Sequence, residues 1–285
     1  MSPGYSRTGT RCDSEPVREA LVAPGGRLRF RFRAIGGDSV NGLGRIPGAI
    51  GRRGWLGALA AAGREVVTTS TSSLTHAQLF LARQEFRFQG APYRYFVHRY
   101  NQTWRNERAV EVPIAWAAVQ AQAKGRILEV GNVLAHYFPV GHDRVDKYEH
   151  AHGTHNVDVL DFRGGPYDLI VSISTLEHVG YDEQPREADK PLRAIAHLRS
   201  LLSPKGVLLA TLPVGYNPSL DAALRDARVP FAQSGCLKRV SADNHWEEVP
   251  FADVISARMH APFRGINGLV IATFAPGPVS GSQET

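Results

Sequence analysis

The chain has 285 residues, 43% of them hydrophobic and 21% charged, with a formal net charge of +6. That mix calls for a globular fold large enough for one substantial α/β domain and an appendage. Its two cysteines, Cys12 and Cys236, exclude a disulfide framework and offer no metal-ligand spacing, and no apolar run reaches membrane-spanning length.

The surplus charge belongs to the start of the chain. Residues 1–65 hold eleven arginines against five acids, a difference equal to the whole +6. Residues 1–75 are rich in Gly, Arg, Ser and Thr and read as a mobile, solvated leader. Within it only RLRFRFRAI (27–35) alternates like a strand. The run GRRGWLGALAAAG (51–63) reads as a short surface helix, because it lies too far from Met1 for a secretory signal. The leader lacks the aromatic interleaving that stacks bases, which argues against nucleic acid as a partner. A cytoplasmic setting without membrane contact is expected, and the glycosylation-like triplet Asn101-Gln102-Thr103 is then a coincidence. No feature of the sequence sets an oligomeric state.

Residues 76–110 read as a β-hairpin and a substrate-side extension. EFRFQG and PYRYFVHRY alternate around Gly90-Ala91-Pro92. Next, Val112, Ile114, Ala115, Ala118 and Val119 recur at helical spacing, with Pro113 expected near the first turn. Strands are expected at 126–130, 142–146, 156–160 and 167–173. A helix over 190–202 follows, with Leu192, Ile195, Leu198 and Leu202 on one side, and then the strand VLLATLP. LDAALRDA reads as a helix, and CLKRVS and GLVIATFA (268–275) as strands. Alternating strands and helices imply parallel pairing with right-handed crossovers.

Three carboxylates fall at successive strand ends: Glu129, Asp146 and Asp158. Ligands of a parallel sheet sit outside the carboxyl ends of its strands. A row of acids there suits a ligand carrying a cation, a ribose and an adenine.

The order GRILEVGN, VDKYE, NVDVLDF, YDLIVSISTLEHVG, LLSPKGVLLATLP resembles the class I methyltransferases that use S-adenosylmethionine. The resemblance covers roughly 111–275 and is strongest over 126–213. It implies a Rossmann-like, doubly wound, seven-stranded sheet, mostly parallel with an antiparallel last strand, helices on both faces, and a methyltransferase domain over 111–280. By this resemblance Glu129 holds the methionine ammonium, directly or through water. Gly131 lets the backbone approach the ligand, with Asn132 beside it. Asp146 accepts from the ribose hydroxyls, next to Lys147, and Asp158 meets the adenine amino group, with Val159 alongside. The strand end at Ser174 touches the methionine part. The loop departs from the family pattern, since Val133 and Ala135 replace the second and third glycines.

Leu176-Glu177-His178-Val179 is expected to enter a helix. His178 is there either a general base on a substrate hydroxyl or a packed, hydrogen-bonded residue. Tyr100, Asn101, Trp104, Tyr216 and His245 lie in loops that mix stacking faces with hydrogen-bonding groups, and are candidates for the acceptor pocket. Alternatively each caps or packs locally, Trp104 above all. No metal is expected, since His142, His150, His152 and His155 are joined by no cysteine. The expected reaction is methyl transfer to a hydroxyl, or an amine, of a sugar or other polar small molecule. The rivals are a methyltransferase-like module that only binds, and a nicotinamide oxidoreductase, which would want Gly-x-Gly-x-x-Gly.

Overall fold

The computed structural model describes residues 81–277. The leader, with its expected strand at 27–35 and helix at 51–63, lies outside the described residues. The described residues fall in one compact unit.

Strands β1 (Glu85–Phe88) and β2 (Ala91–Arg94) form the hairpin, paired from Glu85↔Arg94 to Phe88↔Ala91. Its two turn residues, Gln89 and Gly90, both take positive φ, as a turn matched to strand twist requires. Phe86 and Phe88 are buried and Glu85 and Arg87 exposed, the period-two pattern of a half-covered strand. A 3-10 segment (Tyr100–Arg105) then leads into α1 (Arg108–Ala121).

Pro113 stands at the sixth position of α1, inside the helix and not near its first turn. A proline there removes the N–H that would serve the carbonyl four residues earlier. That carbonyl, on Ala109, accepts instead from Phe96 N at 2.8 Å. The proline therefore creates the acceptor that docks the segment following the hairpin.

The central sheet contains β3 (Ile127–Val130), β4 (Asp143–Val145), β5 (Thr154–His155), β6 (Tyr167–Ile173), β7 (Leu202–Pro213), β8 (Gln233–Arg239), β9 (Trp246–Val249) and β10 (Gly268–Phe274). Their spatial order is β5-β4-β3-β6-β7-β10-β8-β9. The first five pair in parallel, and β10 runs antiparallel to both β7 and β8. Helix α2 (Lys190–Ser200) joins β6 to β7, α3 (Pro218–Arg225) joins β7 to β8, and the short α4 (Phe251–Val254) follows β9. One sheet face packs α1 and the hairpin through Ile127, Leu169, Val171, Ile173 and Leu209. The other packs α2 and α3 through Leu128, Val130, Ile170, Leu208 and Leu212. This is the doubly wound, mostly parallel arrangement with helices on both faces.

Three further details differ from the sequence expectation. The sheet has eight strands where seven were expected, because Trp246–Val249 adds an edge strand to β8. Its outward Glu247 and Glu248 are exposed, which discourages further strand addition. The strand expected at 156–160 is only Thr154–His155. The Asp158 carboxylate accepts from Leu160 N at 3.0 Å, and its carbonyl accepts from Asp161 N and Phe162 N, which closes a turn in place of a ladder. The helix expected from Leu176 is a turn. It is cut short at Gly180, whose φ of 73° leaves helical geometry.

Candidate functional site

The strand order reverses between β3 and β6, each of which leads away to its own side of the sheet. In an open α/β sheet this switch point opens a crevice at the carboxyl edge. The loop after β3 and the loop after β6 meet there. Gly131 has φ 80°, and a Cβ on it would lie 2.2 Å from Thr175 Oγ1. Only glycine permits that backbone and that approach.

Glu129 points from β3 beneath this loop and is fully buried. Its Oε1 accepts from Val133 N at 2.7 Å and Leu134 N at 2.6 Å, and its Oε2 lies 2.9 Å from His142 Nε2. Both oxygens are thus engaged in holding the loop and the 3-10 turn Leu134–His136. Asn132 is buried beside the glycine. Its amide donates to Glu149 Oε1 at 2.8 Å, while its Oδ1 has no partner among the described residues. Asp146, after β4, accepts from Tyr148 N and Glu149 N at 2.8 Å and from Asn132 N at 3.3 Å. The tyrosine ring at 100 stacks on His136 at 4.3 Å, and His136 reaches Glu149. Tyr100 is therefore placed over the glycine loop.

Asp158 sits in a four-charge cluster. Lys147 Nζ and Lys190 Nζ lie 2.9 and 2.6 Å from its Oδ2, and both also reach Glu183. Burial works against the Asp158 charge, but Lys190 and Lys147 outweigh it and hold the carboxyl down at about 2. Val159, next to it, is buried in the core on the α2 side of the sheet.

At the carboxyl end of β6 the structure gathers two buried acids, Glu111 and Glu177, to which sequence reasoning gave no role. Glu111 of α1 is fully buried and accepts from Ser174 Oγ, from Thr211 Oγ1 at 2.6 Å and from Arg108 at 2.8 Å. Arg108 also donates to Ile173 O at 3.1 Å. Glu177 is buried with its Oε2 unpartnered among the described residues. Burial pushes the Glu177 carboxyl well above the usual carboxylate range, with the Glu111 charge adding to it. Glu107 is raised for the same reasons. The i,i+3 spacing of Arg108 and Glu111 in an otherwise apolar helix was the available signal.

His178 lies on the turn after β6. Its Nδ1 is 2.5 Å from Asp182 Oδ2, the same oxygen that accepts from Tyr216 OH at 2.8 Å. The sequence candidates His178 and Tyr216 thus meet, with rings 4.6 Å apart edge to face. The others do not join them. Asn101 takes φ 55°, and its carbonyl accepts from Asn106 Nδ2. Trp104 packs against the α1-side core, with its Nε1 buried. His245 lies in the β8–β9 turn, near Ser241, Asp243 and the Tyr95 ring. Among the described residues, no group of three His, Cys, Asp or Glu side chains is placed to hold a metal ion.

No protein-family model matches the chain, and no curated protein matches it. The structure is similar to several solved methyltransferases. With the N-methyltransferase NodS from Bradyrhizobium japonicum, the TM-score is 0.36 at 14% identity, over 60% of this chain and 96% of that one. With the sugar N-methyltransferase KedS8 from a Streptoalloteichus species, it is 0.33 at 14%, over 68% and 98%. With the methyltransferase CcbJ from Streptomyces caelestis, it is 0.32 at 13%, over 57% and 88%.

Proposed function

We propose that this protein is an S-adenosylmethionine-dependent methyltransferase acting on a hydroxyl, or an amine, of a sugar or other polar small molecule. The observation that carries the reading is the arrangement of groups at the switch point between β3 and β6. A glycine at φ 80° is pressed against Thr175, with a free buried acceptor, Asn132 Oδ1, beside it and Asp146 at the end of the neighbouring strand. An acceptor of that kind fits an ammonium, and a glycine at this position lets the loops after β3 and β6 lie against each other beside it.

Asn132 and Gly131 would hold the methionine part. Glu129 would act from beneath by shaping their loop, and Ser174 would line the β6 side. Asp146 and Lys147 would meet the ribose, and Asp158 and Val159 the adenine end. When bound, S-adenosylmethionine supplies an already electrophilic methyl group, so positioning is the main demand on the protein. His178 takes the acceptor's proton, and Tyr100, Asn101, Trp104, Tyr216 and His245 shape the acceptor side. Two cysteines in 285 residues suit a cytoplasmic setting. No described helix is long and apolar enough to cross a membrane.

Calorimetry of the full chain with S-adenosylhomocysteine and, separately, with NAD tests the reading. Micromolar binding of the first alone supports it, together with label transfer from methyl-labelled donor to a panel of sugars and amino sugars. Binding without any transfer favours a binding module, and binding of NAD alone refutes methyl transfer.

A further inference from the structure

Asp182 has no part in the cofactor crevice, yet it organises the residue proposed above as the base. In the turn after β6, Tyr181 N and Asp182 N both donate to His178 O, at 3.1 and 3.0 Å. Residues four apart in so tight a turn share one side, and this sets the Asp182 carboxylate against the imidazole at 2.5 Å. Tyr216, arriving from between β7 and α3, clamps the same oxygen at 2.8 Å. Burial, with Asp182 next, raises the Tyr216 phenol, so it stays protonated and donates.

An ionised carboxylate only accepts, so the short contact requires the proton on Nδ1. The competing arrangement would place it on Nε2, toward Glu177. That oxygen is 3.5 Å away, too far for a good hydrogen bond, and burial disfavours a Glu177 anion. The other charged neighbours are committed elsewhere. Glu183 is held by Lys147 and Lys190, and the Arg186 guanidinium lies over the Tyr181 ring at 4.6 Å.

We propose that Asp182 is a positioning residue that fixes His178 as the Nδ1–H tautomer, leaving the Nε2 lone pair to take the acceptor's proton. The acceptor's O–H bond breaks, an N–H bond forms at Nε2, and the electron pair stays on the acceptor oxygen. Asp182 then balances the imidazolium charge. This inference rests on the methyltransferase reading for the identity of the reaction, but its test does not.

The test is long-range proton–nitrogen NMR of the full chain carrying nitrogen-15 histidine, with the His178 signals identified as those missing in His178→Gln. In the wild type, neutral His178 is expected as the Nδ1–H tautomer. In Asp182→Ala it should revert to the tautomer mixture of a free imidazole. Tyr216→Phe, which leaves the Asp182 carboxylate in place, should keep the tautomer. Calorimetric affinity for S-adenosylhomocysteine should stay within about twofold in Asp182→Ala, which separates positioning from a loss of folding. An Nε2–H tautomer in the wild type overturns the proposal. So does an unchanged His178 spectrum in Asp182→Ala, or a tenfold loss of affinity in that variant. A wild-type chain that binds no S-adenosylhomocysteine instead refutes the methyltransferase reading, and the spectra still decide the tautomer.

Discussion

Gly131 and Glu177 are buried in the loops after β3 and β6, and substituting them is expected to move stability in opposite directions. A side chain at Gly131 meets two independent obstacles, a φ of 80° and Thr175 Oγ1 at 2.2 Å. Gly131→Ala should therefore cost about 1–3 kcal/mol in a urea titration and abolish S-adenosylhomocysteine binding in calorimetry. A Gly131→Ala chain that binds normally would remove this loop from the site. Glu177 makes the opposite prediction. Burial raises its carboxyl in the folded chain, so folding retains a proton that the unfolded chain loses above about pH 4.3. Stability from this group is present below that value and declines as pH rises through the folded-state value. Glu177→Gln should thus gain stability relative to wild type between pH 5 and pH 8, read as a rising difference in urea midpoint. An equal difference at both pH values would contradict the assignment.

At the scale of elements, the Asp158–Lys147–Lys190–Glu183 cluster ties the end of β4, the turn after β5 and the start of α2 together. The strand pairing between these pieces is short, β5 having two residues, so the cluster adds to the buried contacts of Val145, Val159 and Ala194. Asp158 is held at about 2, so its contribution is intact above about pH 3.9 and is lost as pH falls through 2. Asp158→Asn should flatten the acid limb of the stability curve between pH 4 and pH 2. A variant curve parallel to wild type over that window would show the cluster to be without effect. The expected strand over 156–160 and helix from Leu176 fail for a related reason. Asp158 forms its own local turn, and Gly180 leaves helical φ, so neither apolar pattern had the backbone continuity it needed.

Across the whole molecule, the sheet divides the interior into two cores, and the central strands contribute to both. Ile170 faces the α2 side and Val171 the α1 side, each fully buried. Ile170→Ala should cost about 2–5 kcal/mol, and Phe86→Ala in the hairpin about 3–5 kcal/mol, in denaturant titrations. A cost near zero for Phe86→Ala would show that the hairpin is an appendage and does not share the α1 core.

Periodicity and punctuation within the chain determined most of the elements: the hairpin, α1, α2, α3, the strands β3, β4, β6, β7, β8 and β10, and the acid-then-glycine order at the end of β3. These are local signals, carried by side chains a few residues apart. Only the tertiary structure decided the eighth strand, the docking of Phe96 on the carbonyl freed by Pro113, and the state of each acid on the sheet's edge. Whether a carboxylate is free depends on donors far away in sequence. Glu129 is occupied by His142, Asp158 by Lys190, and Glu111 by Thr211, one hundred residues on. Hydrogen-bond saturation and burial are properties of that folded neighbourhood, and no spacing along the chain records them.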